Sequence, residues 1–273
     1  MIPAAFEYTR AEDVDHALEA LSADPGAKLL AGGHSLLPLM KLRFARPSML
    51  VDIGRLTELS YVERRDDHIT IGALTRHHDL ANDPVLQRDC PIVADAASTI
   101  GDPQVRHVGT IGGSLAHADP ASDLPAVMLA LEATFVIRSA GGTERLVPAG
   151  EFFKGLFTAD LEHTEILTQV RVPVLSGGWS FIKFTRRAQD WALVGVAAVA
   201  GPQAVSVALA NMGQTPIRAR AVEARLAAGD APAIAALQAD QDTAPPSDAF
   251  GDAGYRRELA KVLVARALTE ALG

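Results

Sequence analysis

Two glycine pairs, each set between an apolar stretch and a helix start, constrain this chain more than any other feature. The first lies in Leu29-Leu30-Ala31-Gly32-Gly33-His34-Ser35-Leu36. The second lies in Val108-Gly109-Thr110-Ile111-Gly112-Gly113-Ser114-Leu115, with Ala116-His117-Ala118-Asp119-Pro120-Ala121-Ser122-Asp123 directly after it. A strand that runs into such a turn can expose successive backbone N–H groups, and the following helix adds a partly positive end, so the two together cradle an anion. Glycine matters there because a Cβ would block the close approach of a phosphate and disfavour positive φ. Ser35 can cap its helix or hydrogen-bond a phosphate oxygen, and Thr110 and Ser114 supply further hydroxyls. One pair alone would say little, and Gly141-Gly142 and Gly177-Gly178 read as ordinary turns. Two cradles in separate subdomains suit a ligand carrying two linked phosphates. Neither segment matches GxGxxG or GxxxxGK, so a Rossmann or P-loop site is not supported.

Composition narrows the chemistry. At 273 residues the chain can hold one large domain or two modest ones. A net charge of −8 and 5% aromatic content argue against a nucleic-acid binder. The single cysteine, Cys90, excludes a disulfide framework and any cysteine-ligated zinc or iron–sulfur site built from this chain alone. If electrons pass through it, a cofactor without cysteine ligands carries them. The N-terminus lacks the pattern of a signal peptide, and the longest apolar run, Trp191 to Gly201, is too short to span a bilayer. The expectation is a soluble cytoplasmic protein.

Apolar runs of strand length alternate with amphipathic stretches, the pattern of an α/β or α+β chain. A compact β–α–β unit is expected over the first fifty or so residues. It comprises a helix with Val14, Ala17, Leu18 and Leu21 on one face, a strand at Ala27 to Ala31, a short helix from Ser35 to Arg43 and a strand at Met49 to Ile53. A second block from about Tyr61 to Pro173 should hold strands at His68–Leu74, Thr134–Arg138, Arg145–Val147 and Ile166–Val172. Its helices are expected over Arg88–Ile100 and Pro120–Leu131. After Pro173 and Ser176-Gly177-Gly178, three strands are expected at Trp179–Thr185, Leu193–Ala200 and Ala204–Asn211. The last helix, Arg256–Leu272, should bury Leu259, Val262, Leu263 and Leu268.

The pairing of AGGHSLLPLMKLR with RHVGTIGGSLAHADPASDLPAV resembles the FAD-binding (medium) subunits of molybdenum hydroxylases. That family includes the flavoprotein subunits of carbon monoxide dehydrogenases and the corresponding domain of xanthine dehydrogenases. The likeness spans essentially the whole chain, since Glu165-Ile166-Leu167-Thr168 and the segment Phe184 to Ala192 (FTRRAQDWA) follow in the expected order. It implies an α+β fold with an FAD-binding domain of the vanillyl-alcohol-oxidase (PCMH) type over 1–175, in subdomains of about 1–57 and 58–175. A small C-terminal α+β domain over 176–273, a three-stranded antiparallel sheet with helices, would complete it.

The resemblance also implies site residues. Leu29, Leu30, Ala31, Gly32, Gly33, His34, Ser35 and Leu36, with Thr110, Ile111, Gly112, Gly113 and Ser114, would wrap the pyrophosphate of a non-covalent FAD. Ile100 would lie near the flavin or its ribityl chain, and Asp123 would accept from a ribose hydroxyl of the adenosine half. Ile166 or Leu167 would line the adenine pocket, and Lys183 and Trp191 would approach the isoalloxazine. Many relatives carry Gln in place of His34 and Asn in place of Ser114, and both replacements keep hydrogen-bonding ability. No catalytic residue and no metal ligand is implied on this chain. The hydroxylation would occur at molybdopterin in a large partner subunit, and electrons would pass through two [2Fe–2S] clusters of a small partner to this FAD and on to an external acceptor. The expected assembly is a dimer of heterotrimers.

Plainer readings stand beside these. His117, Asp119 and Asp123 lack the ligand spacing of a metal site, and Asp119-Pro120 fits a helix N-cap followed by proline. His77-His78 reads as a solvated pair at a helix start, and Cys90 as a buried small hydrophobe. Two other functions remain open: a free-standing FAD-dependent oxidase or reductase, which would need catalytic side chains above the flavin, and a module that has lost FAD, against which the intact glycines speak.

Overall fold

In the computed structural model, which describes residues 2–202 and 204–273, the first unit is β1 (Glu7–Arg10), α1 (Val14–Ala23), β2 (Lys28–Leu30), α2 (Leu36–Lys41) and β3 (Met49–Asp52). The three strands form a parallel sheet in the order β1-β3-β2. Asp13 caps α1 by accepting the His16 N–H at 2.8 Å. Val14, Ala17, Leu18 and Leu21, spaced i, i+3, i+4, i+7, bury one face of that helix against Val51, Ile53, Leu74 and Ile166. Pro38 sits in the first turn of α2, where its missing N–H costs nothing.

The second unit follows as β4 (Val62–Arg64), β5 (His68–Gly72), α3 (His77–Asn82), α4 (Pro84–Asp89), α5 (Pro91–Ser98), α6 (Pro103–Arg106), α7 (Ile111–His117) and α8 (Asp123–Ala130). Next come β6 (Thr134–Ser139), β7 (Glu144–Pro148), α9 (Ala149–Phe152), β8 (Phe153–Gly155), β9 (Thr158–Ala159) and β10 (Glu165–Pro173). Five of its strands make an antiparallel sheet ordered β4-β5-β10-β6-β7. Two helical expectations shift here. The stretch from Arg88 to Ile100 is broken at Cys90, because Pro91 opens a new helix instead of continuing the old one. Pro120 does not start a helix: the Asp119 carboxylate accepts the Ala121 N–H at 2.9 Å and its carbonyl accepts the Ser122 N–H, closing a turn ahead of α8.

The third unit holds β11 (Trp179–Phe184), β12 (Val194–Ala200), β13 (Val205–Ala210), β14 (Ile217–Arg218), α10 (Arg220–Ala227), α11 (Pro232–Ala235) and α12 (Ala253–Leu272). Its antiparallel sheet runs β11-β12-β13-β14, so a two-residue strand joins the three expected ones. β12 is buried on both faces. Val194, Val196 and Ala198 pack with α12, while Ala197 and Val199 join the core that contains α5 and α8. All eight residues of α8 are buried, since that helix lies inside the first core, packed between α5 and the sheet strands β12 and β13. Val262 is 49% exposed and leaves the stripe expected for α12, which is built instead from Ala260, Leu263, Val264, Ala267, Leu268 and Ala271.

Candidate functional site

The three units enclose one large cavity of about 810 Å³, within the range that holds a cofactor-sized ligand. Leu29 through Leu36, Ile100, Thr110, Gly112, Gly113, Ser114, Asp123, Ile166, Leu167, Lys183 and Trp191 all line it. Ile111 does not. Its side chain is fully buried in the core beneath α7 and its N–H donates to the Thr75 carbonyl, so the expectation that it touches the ligand is corrected.

The two glycine segments meet but do different things. A Cβ on Gly32 would stand 2.3 Å from the Val108 carbonyl oxygen, so this glycine lets the two loops touch, while Gly33 adopts φ +74°. Among the described residues, the N–H groups from Gly32 to Leu36 find no acceptor in the protein, and Ser35 makes no side-chain cap. Five donors and a hydroxyl are left for a ligand. The second segment differs from expectation, because its N–H groups are already engaged. Gly112 donates to Ala73 O at 2.8 Å, Gly113 to Thr110 Oγ1 at 3.2 Å and Ser114 to Thr110 O at 3.0 Å. A Cβ on Gly112 would meet Ala73 at 2.6 Å, whereas one on Gly113, which is exposed on the cavity wall, would meet the Thr110 hydroxyl at 2.9 Å. The second pair therefore provides close packing and an open wall, and among the described residues the Ser114 hydroxyl has no hydrogen-bond partner.

At another end of the cavity, Lys183 Nζ of β11 donates to Asp123 Oδ2 of α8 at 2.7 Å and to the Thr99 carbonyl at 3.1 Å. The side chains of this pair are 9% and 5% exposed. Burial pushes the Asp123 carboxyl up to about 6, against the opposing pull of Lys183. Asp123 Oδ1 is buried and finds no donor among the described residues. The pair joins Asp123, Lys183 and the neighbourhood of Ile100 in one place. Asp123 and Lys183 thus stand together at one place on the cavity wall, although the resemblance assigned them to different parts of FAD.

His77, expected to be solvated, is 4% exposed and lines the cavity beside Gly109. Burial pushes its imidazole down to about 4, with His34 and Arg106 adding repulsion. The signal was present in the spacing: His77 and Leu80 stand i, i+3 on the buried face of α3. The cavity also takes in Gln189 and Asp190 beside Trp191, and Phe157, His163 and Glu165 near Ile166. Glu165 is held well below the usual carboxylate range by the Arg145 guanidinium, which reaches its two oxygens at 2.9 and 2.8 Å. Among the described residues, no group of three or more His, Cys, Asp or Glu is placed to hold a metal, and no helix is long and apolar enough to cross a membrane.

These residues fit FAD: a cavity of matching size, a loop of unengaged N–H groups for a pyrophosphate, and a buried carboxylate oxygen awaiting a donor. Comparison with known proteins agrees. Residues 4–175 match the model of the FAD binding domain in molybdopterin dehydrogenase, and residues 179–271 match the carbon monoxide dehydrogenase flavoprotein C-terminal domain. The glyceraldehyde dehydrogenase medium chain of Sulfolobus acidocaldarius is 42% identical, with 99% of each chain covered. The carbon monoxide dehydrogenase of Hydrogenophaga pseudoflava contains a chain of solved structure that superposes with a TM-score of 0.93 at 41% identity, covering 99% of this chain and 98% of that one. Quinoline 2-oxidoreductase of Pseudomonas putida gives 0.91 at 33% identity, covering 99% and 98%. A cavity built for a dinucleotide, on a chain matched along both its domain models, makes this protein a member of the family of FAD-binding medium subunits of molybdenum hydroxylases.

Proposed function

We propose that this chain is the electron-transferring FAD subunit of a molybdenum hydroxylase, receiving electrons from [2Fe–2S] clusters of a small partner and delivering them to an external acceptor. The observation that carries the reading is the division of labour in the chain itself. It holds a complete dinucleotide cavity, while its one cysteine is fully buried with the thiol pushed up to about 12, unable to ligate a cluster. FAD bound there supplies the redox centre, and the protein supplies binding, orientation and electrostatics.

The N–H groups of Gly32 to Leu36, with the Ser35 and Ser114 hydroxyls, hold the pyrophosphate. Asp123, Lys183, Ile100 and Trp191 form the flavin end, which moves Asp123 away from the adenosine ribose. Ile166 and Leu167 form the adenine end. His77 is a neutral wall residue at working pH, because burial holds its imidazole near 4. The division into an FAD-binding domain over 1–175 and a C-terminal domain over 176–273 is supported by the ranges of the two family models, and the subdomains of about 1–57 and 58–175 by their separate sheets, β1-β3-β2 and β4-β5-β10-β6-β7. A large molybdopterin subunit and a small [2Fe–2S] subunit are the partners, arranged as a dimer of heterotrimers. The relatives named as medium chains support this.

The test is purification of the native assembly. Flavin absorbance in a preparation containing a large molybdenum subunit and a small iron–sulfur subunit is the expected result. Substrate turnover by the isolated chain would overturn the electron-transfer role in favour of a free-standing oxidase or reductase.

A further inference from the structure

The connection between β11 and β12 brings Gln189, Asp190 and Trp191 into the cavity wall, with Trp191 59% exposed and Gln189 at φ +72°. Hydrogen bonds within the connection are sparse: Asp190 N–H to Arg187 O at 3.3 Å, and Leu193 N–H to Phe184 O at 2.8 Å where the hairpin closes. Its last two carbonyls, on the buried residues Ala192 and Leu193, are gripped from outside. Asn211 Nδ2 donates to Ala192 O at 2.7 Å, and Arg256 Nη1 of α12 donates to Leu193 O at 2.5 Å. Asn211 does one thing more. Its backbone N–H donates to Pro120 O at 2.7 Å, in the turn that leads into Asp123.

Asn211 stands just past the end of β13 at φ +61°, in the left-handed region. Gly, Asn and Asp enter that region readily. Gly and Asp have no side-chain N–H to give Ala192, and Gln, which has one, lacks the backbone tolerance. Asparagine meets both demands at once. The Asp123–Lys183 pair and the Asn211–Pro120 bond thus both tie the start of α8 and the turn before it to the C-terminal sheet.

We propose that Asn211 is a positioning residue for that end of the cavity: it clamps Ala192, and through it Trp191, to the segment that carries Asp123. The proposal rests on the FAD reading. It assigns Asn211 no contact with the cofactor; the residue acts only through the loop.

The experiment uses the full chain with Trp179→Phe, which leaves Trp191 as the one tryptophan of the two in the sequence. In the FAD-free protein, Asn211→Gly keeps the backbone conformation and removes the amide, so the fluorescence anisotropy of Trp191 should fall. With FAD added, the same substitution should raise the dissociation constant about tenfold, the size expected for one hydrogen bond to a buried carbonyl. In a Trp191→Ala chain the Asn211→Gly effect on FAD binding should shrink below about twofold, since the path through the ring is gone. Asn211→Asp, which sets a second acceptor against Ala192 O, should reproduce the changes and guards against a folding defect in the glycine variant. Unchanged anisotropy, or an equal loss of affinity with and without Trp191, overturns the positioning role while leaving FAD binding intact. Failure of the parent chain to take up FAD at all overturns the reading beneath it.

Discussion

His77 and Asp123, both on the cavity wall, titrate in one pH window with opposite consequences. Burial lifts the Asp123 carboxyl from 3.8 to about 6 and lowers the His77 imidazole from 6.5 to about 4. For Asp123 the folded chain holds a proton that the unfolded chain has already released, so its contribution is present at low pH and fades as pH rises from about 4 to 6. For His77 the unfolded chain binds the extra proton, so its contribution is present above about 6.5 and fades as pH falls toward 4. Each gap is a little over two pH units, and at ~1.4 kcal/mol per unit each is worth about 3 kcal/mol. In the native chain the two slopes nearly cancel. His77→Phe should remove one of them, so that the variant gains about 3 kcal/mol relative to the parent as pH falls from 6.5 to 4. Asp123→Asn should gain relative to the parent in the other direction, as pH rises through the same interval. Urea unfolding of the FAD-free protein, followed by far-UV circular dichroism from about pH 4.5 to 7, reads both differences against a shared background. Difference curves of the same sign, or both flat, would refute the assignment of these titrations to the two buried groups.

Three further outcomes follow from the cavity walls. Gly113→Val places a side chain on the exposed cavity wall, where only the Thr110 hydroxyl at 2.9 Å must turn aside, and should abolish FAD retention while leaving the circular dichroism spectrum native. Gly112→Val drives its Cβ to 2.6 Å from Ala73, so it should lower unfolding stability by about 1–3 kcal/mol or more even without cofactor. Lys183→Met leaves a buried carboxylate alone and should cost about 3–5 kcal/mol at pH 8, less at pH 5 where Asp123 is protonated, and Lys183→Met combined with Asp123→Leu should recover most of it.

The glycine segments were legible because close approach of two backbones leaves few residue types to choose from. What each segment does was less legible. Both read as anion cradles, yet only the Gly32 to Leu36 loop keeps its N–H groups unengaged, since those of Ile111 and Gly112 are taken by Thr75 and Ala73 from a turn far away in sequence. Ile111 was misread for the same reason. His77 was misread because two adjacent histidines look polar, although their helix buries only the first and exposes His78. Asp123 and Lys183 were each legible as site residues, but their meeting was not, as they are 60 positions apart and joined only by tertiary packing. Asn211 carries no local motif at all. Its bond to Ala192 exists only once the strands of the C-terminal sheet have paired, and its bond to Pro120 only once that sheet has docked.

β12 gives one face to α12 and the other to the core around α8, and Lys183 of β11 lines the cavity, so the C-terminal sheet is a wall of that cavity and not an appendage on a hinge. Severing the backbone at Ser176 to Gly178 would therefore leave two fragments that stay together. The end of the cavity that holds Asp123 and Lys183 is assembled by the same apolar contact that holds the fragments, which means that this chain cannot loosen its C-terminal domain without also opening the cavity to water.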